Sequence, residues 1–426
     1  MKKYEDMISA PEAIWFTNIP NGWRATKIRE LFAERNVKVS DKDYAPLSVG
    51  KMGVVPQLDT AVKTDNGDNR KLICNGDFAI NSRSDRKGAC GISEYDGSCS
   101  LIITVLKPHS TLSSRFYHYL LRSYYFSEEY YRNGKGLVSD LWTTKWNEMR
   151  NIYIPVPPRS EQDQIVRYLD YKTAKIDKLI SGYKRQIELL EERKLTFIND
   201  SITGKNCECE CVESGVNWIG KVPLHWNIDK VKQHFKILKR IAGKEGYEVI
   251  SITQQGLKIK DISTNEGQMA ASYANYQFIY PGEYAMNHMD LLTGYMGLSD
   301  MFGVTSPDYR VFALTDTENC DPNYYLYVFQ LGYKRKIFYG LGKGAANKGR
   351  WRMPAMNFKN YDIPVPPIEE QKKIVDKIRK YEDKIDFAIQ KVNEQIALLQ
   401  EYRTRLISDV VTGQIDVRDE VIPEMR

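Results

Sequence analysis

Two glycine-rich basic segments hold the side chains best suited to meeting a polyanion. The first is RNGKGLVSDLWTTKW from Arg132, with Lys135, Trp142 and Lys145; the second is GLGKGAANKGRWR from Gly340, with Lys343, Asn347, Lys348, Arg350 and Arg352. Glycine lets backbone approach a surface closely, lysine and arginine neutralise phosphates, and arginine or asparagine can pair with purine edges. These residues form the expected contact set. Solvated hairpins are the ordinary alternative, because basic loops are common on surfaces. Trp142 and Trp351 hold matching places in the two segments and suit hydrophobic anchoring better than base stacking.

Catalysis finds less to work with. Asp321-Pro322-Asn323-Tyr324 resembles the Asp/Asn-Pro-Pro-aromatic signature of amino-methyltransferases, but asparagine replaces the second proline. Gly340-Leu341-Gly342-Lys343-Gly344 resembles a cofactor loop without the alternating strands and helices such a loop needs. No Gly-x-x-x-x-Gly-Lys-Ser/Thr phosphate loop and no zincin motif occurs. Cys207, Cys209 and Cys211 cluster, but CECEC lacks the Cys-x-x-Cys spacing usual at zinc, and the nearest histidine is His225. The chain is therefore expected to hold no catalytic residue, metal ligand or cofactor of its own. Its 7 cysteines, an odd number, fit a reducing compartment.

Positioning falls to a stretch that occurs twice. IPVPPRSEQDQIV opens at Ile154 and IPVPPIEEQKKIV at Ile363, and the match continues without a gap to Thr203-Gly204 and Thr412-Gly413. The offset is a constant 209 over 51 positions, with 22 identities. A shorter pair confirms the repeat: Trp15, Ile19-Pro20, Trp23, Lys27-Ile28 and Phe32 recur as Trp218, Val222-Pro223, Trp226, Lys230-Val231 and Phe235, at an offset of 203. One structural unit is used twice.

Each proline motif ends a strand-like segment. Beyond the first, Ser160 is placed to cap a helix, with Glu161 and Asp163 favourable in its first turn; the second copy has Glu369 and Glu370 for that charge. No proline follows for about 40 residues, which allows a helix on the order of 60 Å at 1.5 Å per residue, stopped by the glycine of Thr-Gly. Ile165, Leu169, Ile176, Ile187 and Leu190 match Ile374, Ile378, Ile385, Ile396 and Leu399 across the repeat. They form a narrow apolar stripe at coiled-coil spacing. Connectivity favours antiparallel pairing of the two helices and a dumbbell with a pseudo-twofold axis, the local symmetry of duplex DNA.

The expected organisation is a module at 1–153, a repeat helix at 154–205, a linker at 206–217, a second module at 218–362, a second repeat helix at 363–414 and a tail at 415–426. In the modules, Leu47 to Val49, Phe78 to Asn81 and Leu101 to Val105 read as strands and Phe116 to Phe126 as a helix. Val249 to Ile252, Tyr284 to Asn287 and Tyr309 to Phe312 follow as strands, with a helix from Tyr324 to Leu331. The fold class is α+β: two such modules separated by a pair of long antiparallel coiled-coil helices. A net charge of +6 permits a polyanionic partner. No stretch approaches the roughly 18 apolar residues of a membrane span, and the opening MKKYEDMISAPEAIW lacks a signal-peptide core, so a cytoplasmic chain is expected.

The doubled Pro-Pro-x-x-Glu-Gln helix starts and the paired module openings, Ile-Pro-x-x-Trp at Ile19 and Val-Pro-x-x-Trp at Val222, resemble those of the specificity subunit of type I restriction-modification enzymes. The resemblance covers essentially the whole length. It implies a non-catalytic DNA-binding subunit with two target-recognition domains, each reading one half of a bipartite site. It also implies that the paired helices, Ser160 to Ser201 and Glu369 to Val410, act as spacer and as docking surface for two modification subunits. Those partners methylate adenine with S-adenosylmethionine; restriction subunits add translocation and cleavage driven by ATP with Mg. Two readings from other classes stay open: an enzyme with its own methyltransferase or nuclease centre, and a coiled-coil assembly adaptor with no DNA role.

Overall fold

The computed structural model describes residues 2–58, 67–83, 86–109, 112–136, 142–262, 270–344 and 351–423. The chain divides into two units: Met1–Lys184 with Asn393–Arg426, and Arg185–Val392. Each is built around a four-stranded antiparallel sheet. In the first unit the strand order is Cys90–Ile92, Phe78–Asn81, Ile103–Pro108, Phe32–Glu34; in the second it is Met296–Leu298, Tyr284–Met286, Arg310–Leu314, Phe235–Leu238. The registers agree residue by residue. Phe78 faces Leu106 where Tyr284 faces Phe312, and Ala79 faces Gly91 where Ala285 faces Gly297.

The shared frame extends further. The hairpin Leu47–Gly50 with Gly53–Pro56 has its counterpart in Ile250–Thr253 with Gly256–Ile259. Strands that precede the proline motifs close each module on its own opening: Tyr153–Val156 pairs with Arg24–Lys27, and Asp362–Val365 with Asn227–Lys230. Cys211–Glu213 pairs with Lys221–Pro223 just as Met7–Ser9 pairs with Asn18–Pro20. A carboxylate pins each sheet turn to an arginine, Asp77 to Arg35 in one unit and Glu283 to Arg240 in the other.

Two expectations need correction. The stretch Phe116 to Phe126 is not one helix but parts of two, Ser114–Leu120 and Tyr124–Arg132, because the Ser123 hydroxyl accepts from Phe126 N at 3.4 Å and starts a new helix. Ser160 is not a cap. The helix begins at Arg159, and the Pro158 carbonyl accepts from both Glu161 N and Gln162 N at 3.0 Å.

The second copy repeats that geometry at Pro367 with Glu370 N and Gln371 N, at 2.8 and 3.0 Å. Here the Glu-Gln of the motif gains a physical role. Gln162 folds back to donate to Pro157 O at 2.9 Å, and Gln371 to Pro366 O at 2.8 Å, so each side chain satisfies a carbonyl that proline-rich backbone leaves without a helical donor.

Both long helices, Arg159–Ile202 and Ile368–Val411, run 44 residues without a break. Each lends one half to each unit, and within a unit the halves run antiparallel. In the first, Ile165, Leu169 and Ile176 share a core with Leu406, Val410 and Val411, and Arg403 meets Asp177 at 3.4 Å. In the second, Ile198 and Ile202 share a core with Val375 and Ile378, Phe197 stacks on Tyr381 at 3.9 Å, and Lys194 meets Asp386 at 2.6 Å. The helices stop at Gly204 and Gly413, with φ of +74° and +73°. At both glycines an added Cβ would collide with a module-opening proline, Pro223 or Pro20.

Among the described residues no helix is long and apolar enough to cross a membrane. Cys207 and Cys209 are joined in a disulfide, and Cys211 is free and exposed.

Candidate nucleic-acid interface

The two basic segments are loops closed at the base in the same way. In the first unit Lys135 and Thr143 form an antiparallel bridge with N–H to O distances of 2.9 and 3.0 Å; in the second, Lys343 and Arg352 do so at 2.9 and 3.2 Å. Trp142 donates from Nε1 to Tyr131 O at 2.7 Å, and Trp351 donates to Tyr339 O while stacking on the Tyr339 ring at 5.2 Å. The glycines explain themselves here. A Cβ on Gly134 would meet the Trp142 ring, and one on Gly342 the Trp351 ring. Both tryptophans anchor the bases of their loops.

Lys135 is exposed and lies 3.4 Å from Glu148, and Lys145 is exposed just ahead of the short helix Trp146–Met149. Lys343 and Arg352 are exposed at the second loop base. Asn347, Lys348 and Arg350 lie outside the described residues.

A cleft of about 560 Å³ opens beside that loop base, lined by Lys239, Gln277, His288, Arg310, Lys343 and Arg352 together with aliphatic and aromatic groups. The sheet supplies most of it: Arg310 starts the strand Arg310–Leu314 opposite Met286, and His288 follows the paired strand Tyr284–Met286. His288 O accepts from Met353 N at 2.9 Å, which ties the cleft to the loop base, and Arg310 Nη2 donates to Met353 O at 2.8 Å. Burial, with Arg310 and Arg352 nearby, pushes the His288 imidazole down to about 3, so it is neutral at ordinary pH. Burial also lowers the Arg310 guanidinium to about 10, the neighbouring Arg352 acting in the same direction. Sequence reading missed Arg310, His288 and Gln277, because single polar residues within strands carry no signal until the sheet brings them together.

The helix residues named from the sequence lie on the apolar side. Ile165, Leu169 and Ile378 are fully buried, Ile176, Ile385 and Ile396 nearly so, and Ile187, Leu190, Ile374 and Leu399 are half-buried.

The catalytic near misses resolve as structure. Asp321 caps the helix Pro322–Lys334, its carboxylate accepting from Asn323 N at 2.7 Å and Tyr324 N at 3.2 Å, and Tyr324 is fully buried. The Gly340 to Gly344 run is the foot of the second loop. Asp229, His234 and Cys320 line up as a nucleophile triad would, with His234 2.7 Å from Asp229 and 3.7 Å from the Cys320 sulfur. Cys320 is only 3% exposed, however, and leaves no face for a substrate. Among the described residues no group of three or more His, Cys, Asp or Glu side chains could hold a metal ion.

Comparison with known proteins agrees with this geometry. Residues 228–398 match the family profile described as "Type I restriction modification DNA specificity domain". Over 415 residues the chain is 22% identical to a Methanocaldococcus jannaschii protein provisionally named type I restriction enzyme MjaX specificity subunit, covering 94% of this chain and 91% of that one. A second protein of that organism, the type I restriction enzyme MjaVIII specificity subunit, is 24% identical over 288 residues, 63% of each chain. A solved chain from a study of complex assembly and conformational transition in the type I R-M system superposes with a TM-score of 0.59 at 14% identity, covering 93% of this chain and 99% of that one. At that identity the match speaks for the fold. The resemblance to type I specificity subunits is thus shown along nearly the whole chain.

Proposed function

We propose that this chain is the sequence-recognition subunit of a type I restriction-modification complex. Each unit reads one half of a bipartite DNA site, while the two long helices space the units and dock two modification subunits. The observation that carries this reading is one frame used twice with different side chains beside each loop. Sheet registers, closed basic loops and helix starts are the same in both units, yet the side chains presented beside each loop differ. A repeated frame with altered contacts suits a reader of two different half-sites.

No catalytic group is assigned to the chain. Methyl transfer, with S-adenosylmethionine, belongs in this reading to the modification subunits, and ATP- and Mg-dependent translocation and cleavage to restriction subunits, all acting in the cytoplasm.

Module exchange tests the proposal. Replacing residues 24–150 by the matching span of a relative, in the assembled modification complex, should change one half of the methylated sequence and leave the other untouched. If both halves changed together, or methylation continued without this chain, the two-reader assignment would be wrong. Adenine methylation by the purified chain alone would move the chemistry into this polypeptide.

A further inference from the structure

Arg310 is 6% exposed, and its buried Nη1 has no hydrogen-bond partner; His288, also 6% exposed, has a buried Nδ1 in the same condition. Both line the cleft that Lys343, Arg352 and Lys239 border. Among the described residues no carboxylate pairs with any of these four cations. The frame does not require such a cation: in the first unit Thr104 stands where Arg310 stands here, opposite Ile80 as Arg310 is opposite Met286, and Ser82 stands in the place of His288. A buried guanidinium with an unmade hydrogen bond and no counter-ion is unfavourable unless a ligand completes it.

We infer that this cleft is a phosphate-binding site of the second unit, in which Arg310 Nη1, Lys343 and Arg352 hold one backbone phosphate of the bound duplex and fix the register of that unit on its half-site. The inference rests on the DNA-recognition reading and adds an assigned anion site to it. Several features favour a phosphate over a base edge. The site carries several positive charges, an arginine donor pre-set by its bond to Met353 O, and a histidine whose buried Nδ1 is still without a partner. Mechanically, Met353 O takes one Nη, so the other is free to meet an oxyanion, and Phe358 beneath the guanidinium at 5.0 Å keeps its plane in place.

Arg310→Met separates this role from core packing. With the full chain assembled on its modification subunits, binding to a random-sequence 40-base-pair duplex is measured by fluorescence anisotropy across salt concentrations. The variant should bind about tenfold more weakly. It should also lose about one from the slope of log K against log salt. Its Tm should equal or exceed that of the parent, since an uncompensated charge has been replaced by an apolar chain of similar length. Arg310→Lys, which keeps the charge, should retain the slope. If Arg310→Met lowered the Tm and left affinity and slope unchanged, Arg310 would be a packing residue and the inference would fail.

A changed preference in a randomised duplex library, with the slope intact, would make Arg310 a base reader and equally overturn the phosphate assignment. Inorganic phosphate gives a readout independent of DNA: it should raise the Tm of the parent above that in chloride of equal ionic strength, and not that of a Lys343→Gln, Arg352→Gln variant. That rise together with no binding to duplex would refute the recognition reading while leaving the anion site standing. Duplex binding without the rise, and without an Arg310 effect, would do the reverse.

Discussion

The first unit places Ser82, Thr104 and Thr143 where the second places His288, Arg310 and Arg352. The backbone that carries both sets is the same: Thr144 N donates to Ser82 O at 2.9 Å, as Met353 N donates to His288 O. Elsewhere the units also solve one problem differently. Lys71, buried in the first, donates to Ile103 O at 2.8 Å and sits 3.6 Å from Glu34; in the second, neutral Gln277 donates to Tyr309 O at 2.8 Å. In the first unit this buried cation has a carboxylate beside it. In the second the carboxylate is missing and the cation has moved to the cleft. The difference teaches that backbone hydrogen bonds and apolar packing fix the frame, while positions beside the loop can change charge without disturbing it.

The frame itself can be broken equally in both units. Gly204→Ala and Gly413→Ala each force a Cβ onto a left-handed residue and into Pro223 or Pro20. Each should cost about 2–4 kcal/mol, combining conformational strain with overpacking. Chemical denaturation of the two variants should give similar losses. A large loss at one glycine with none at the other would show that the helix ends are not equivalent.

A subtler asymmetry lies in the motif glutamines. Gln371 Oε1 accepts from Asp321 N at 2.8 Å, whereas the buried Gln162 Oε1 has no partner. Gln371→Leu should therefore destabilise by about 2–3 kcal/mol, leaving a backbone donor and a carbonyl unsatisfied, and Gln162→Leu by about 1 kcal/mol. Equal losses would mean the extra bond contributes nothing.

The smallest effect concerns pH. The folded value of His288, about 3, lies below its unfolded value near 6.5, so the unfolded chain binds more protons between them and stability falls as pH drops through that window. His288→Ser, which installs the residue of the first unit, should flatten this loss. Between pH 7 and 5 the variant should keep on the order of 2 °C more of its Tm than the parent does, as read by calorimetry. An identical decline in both proteins would show that His288 is not buried as described.

Much of this architecture was legible beforehand. Ile165, Leu169, Ile378 and Ile385 announced the helices because a 3.5-residue apolar period has few other uses, and Thr-Gly announced their ends. The loops at Lys135 and Lys343 stood out because glycine and lysine cluster there. The helix at Phe116 to Phe126 was misread since its apolar residues continue in phase across Ser123, and a single hydroxyl decided the break. Ser160 was misread because a proline carbonyl took over the first turn.

The sequence by itself determined that one unit is used twice, that two long helices carry an apolar seam, and that basic loops precede each helix, because repeats, periodicity and composition are properties of the chain order. Only the tertiary structure decided that Arg310, His288, Lys343 and Arg352 border one cleft. Their separation along the chain hides them from any local pattern, and it is the antiparallel sheet register, with the backbone bond from Met353 to His288, that brings them together.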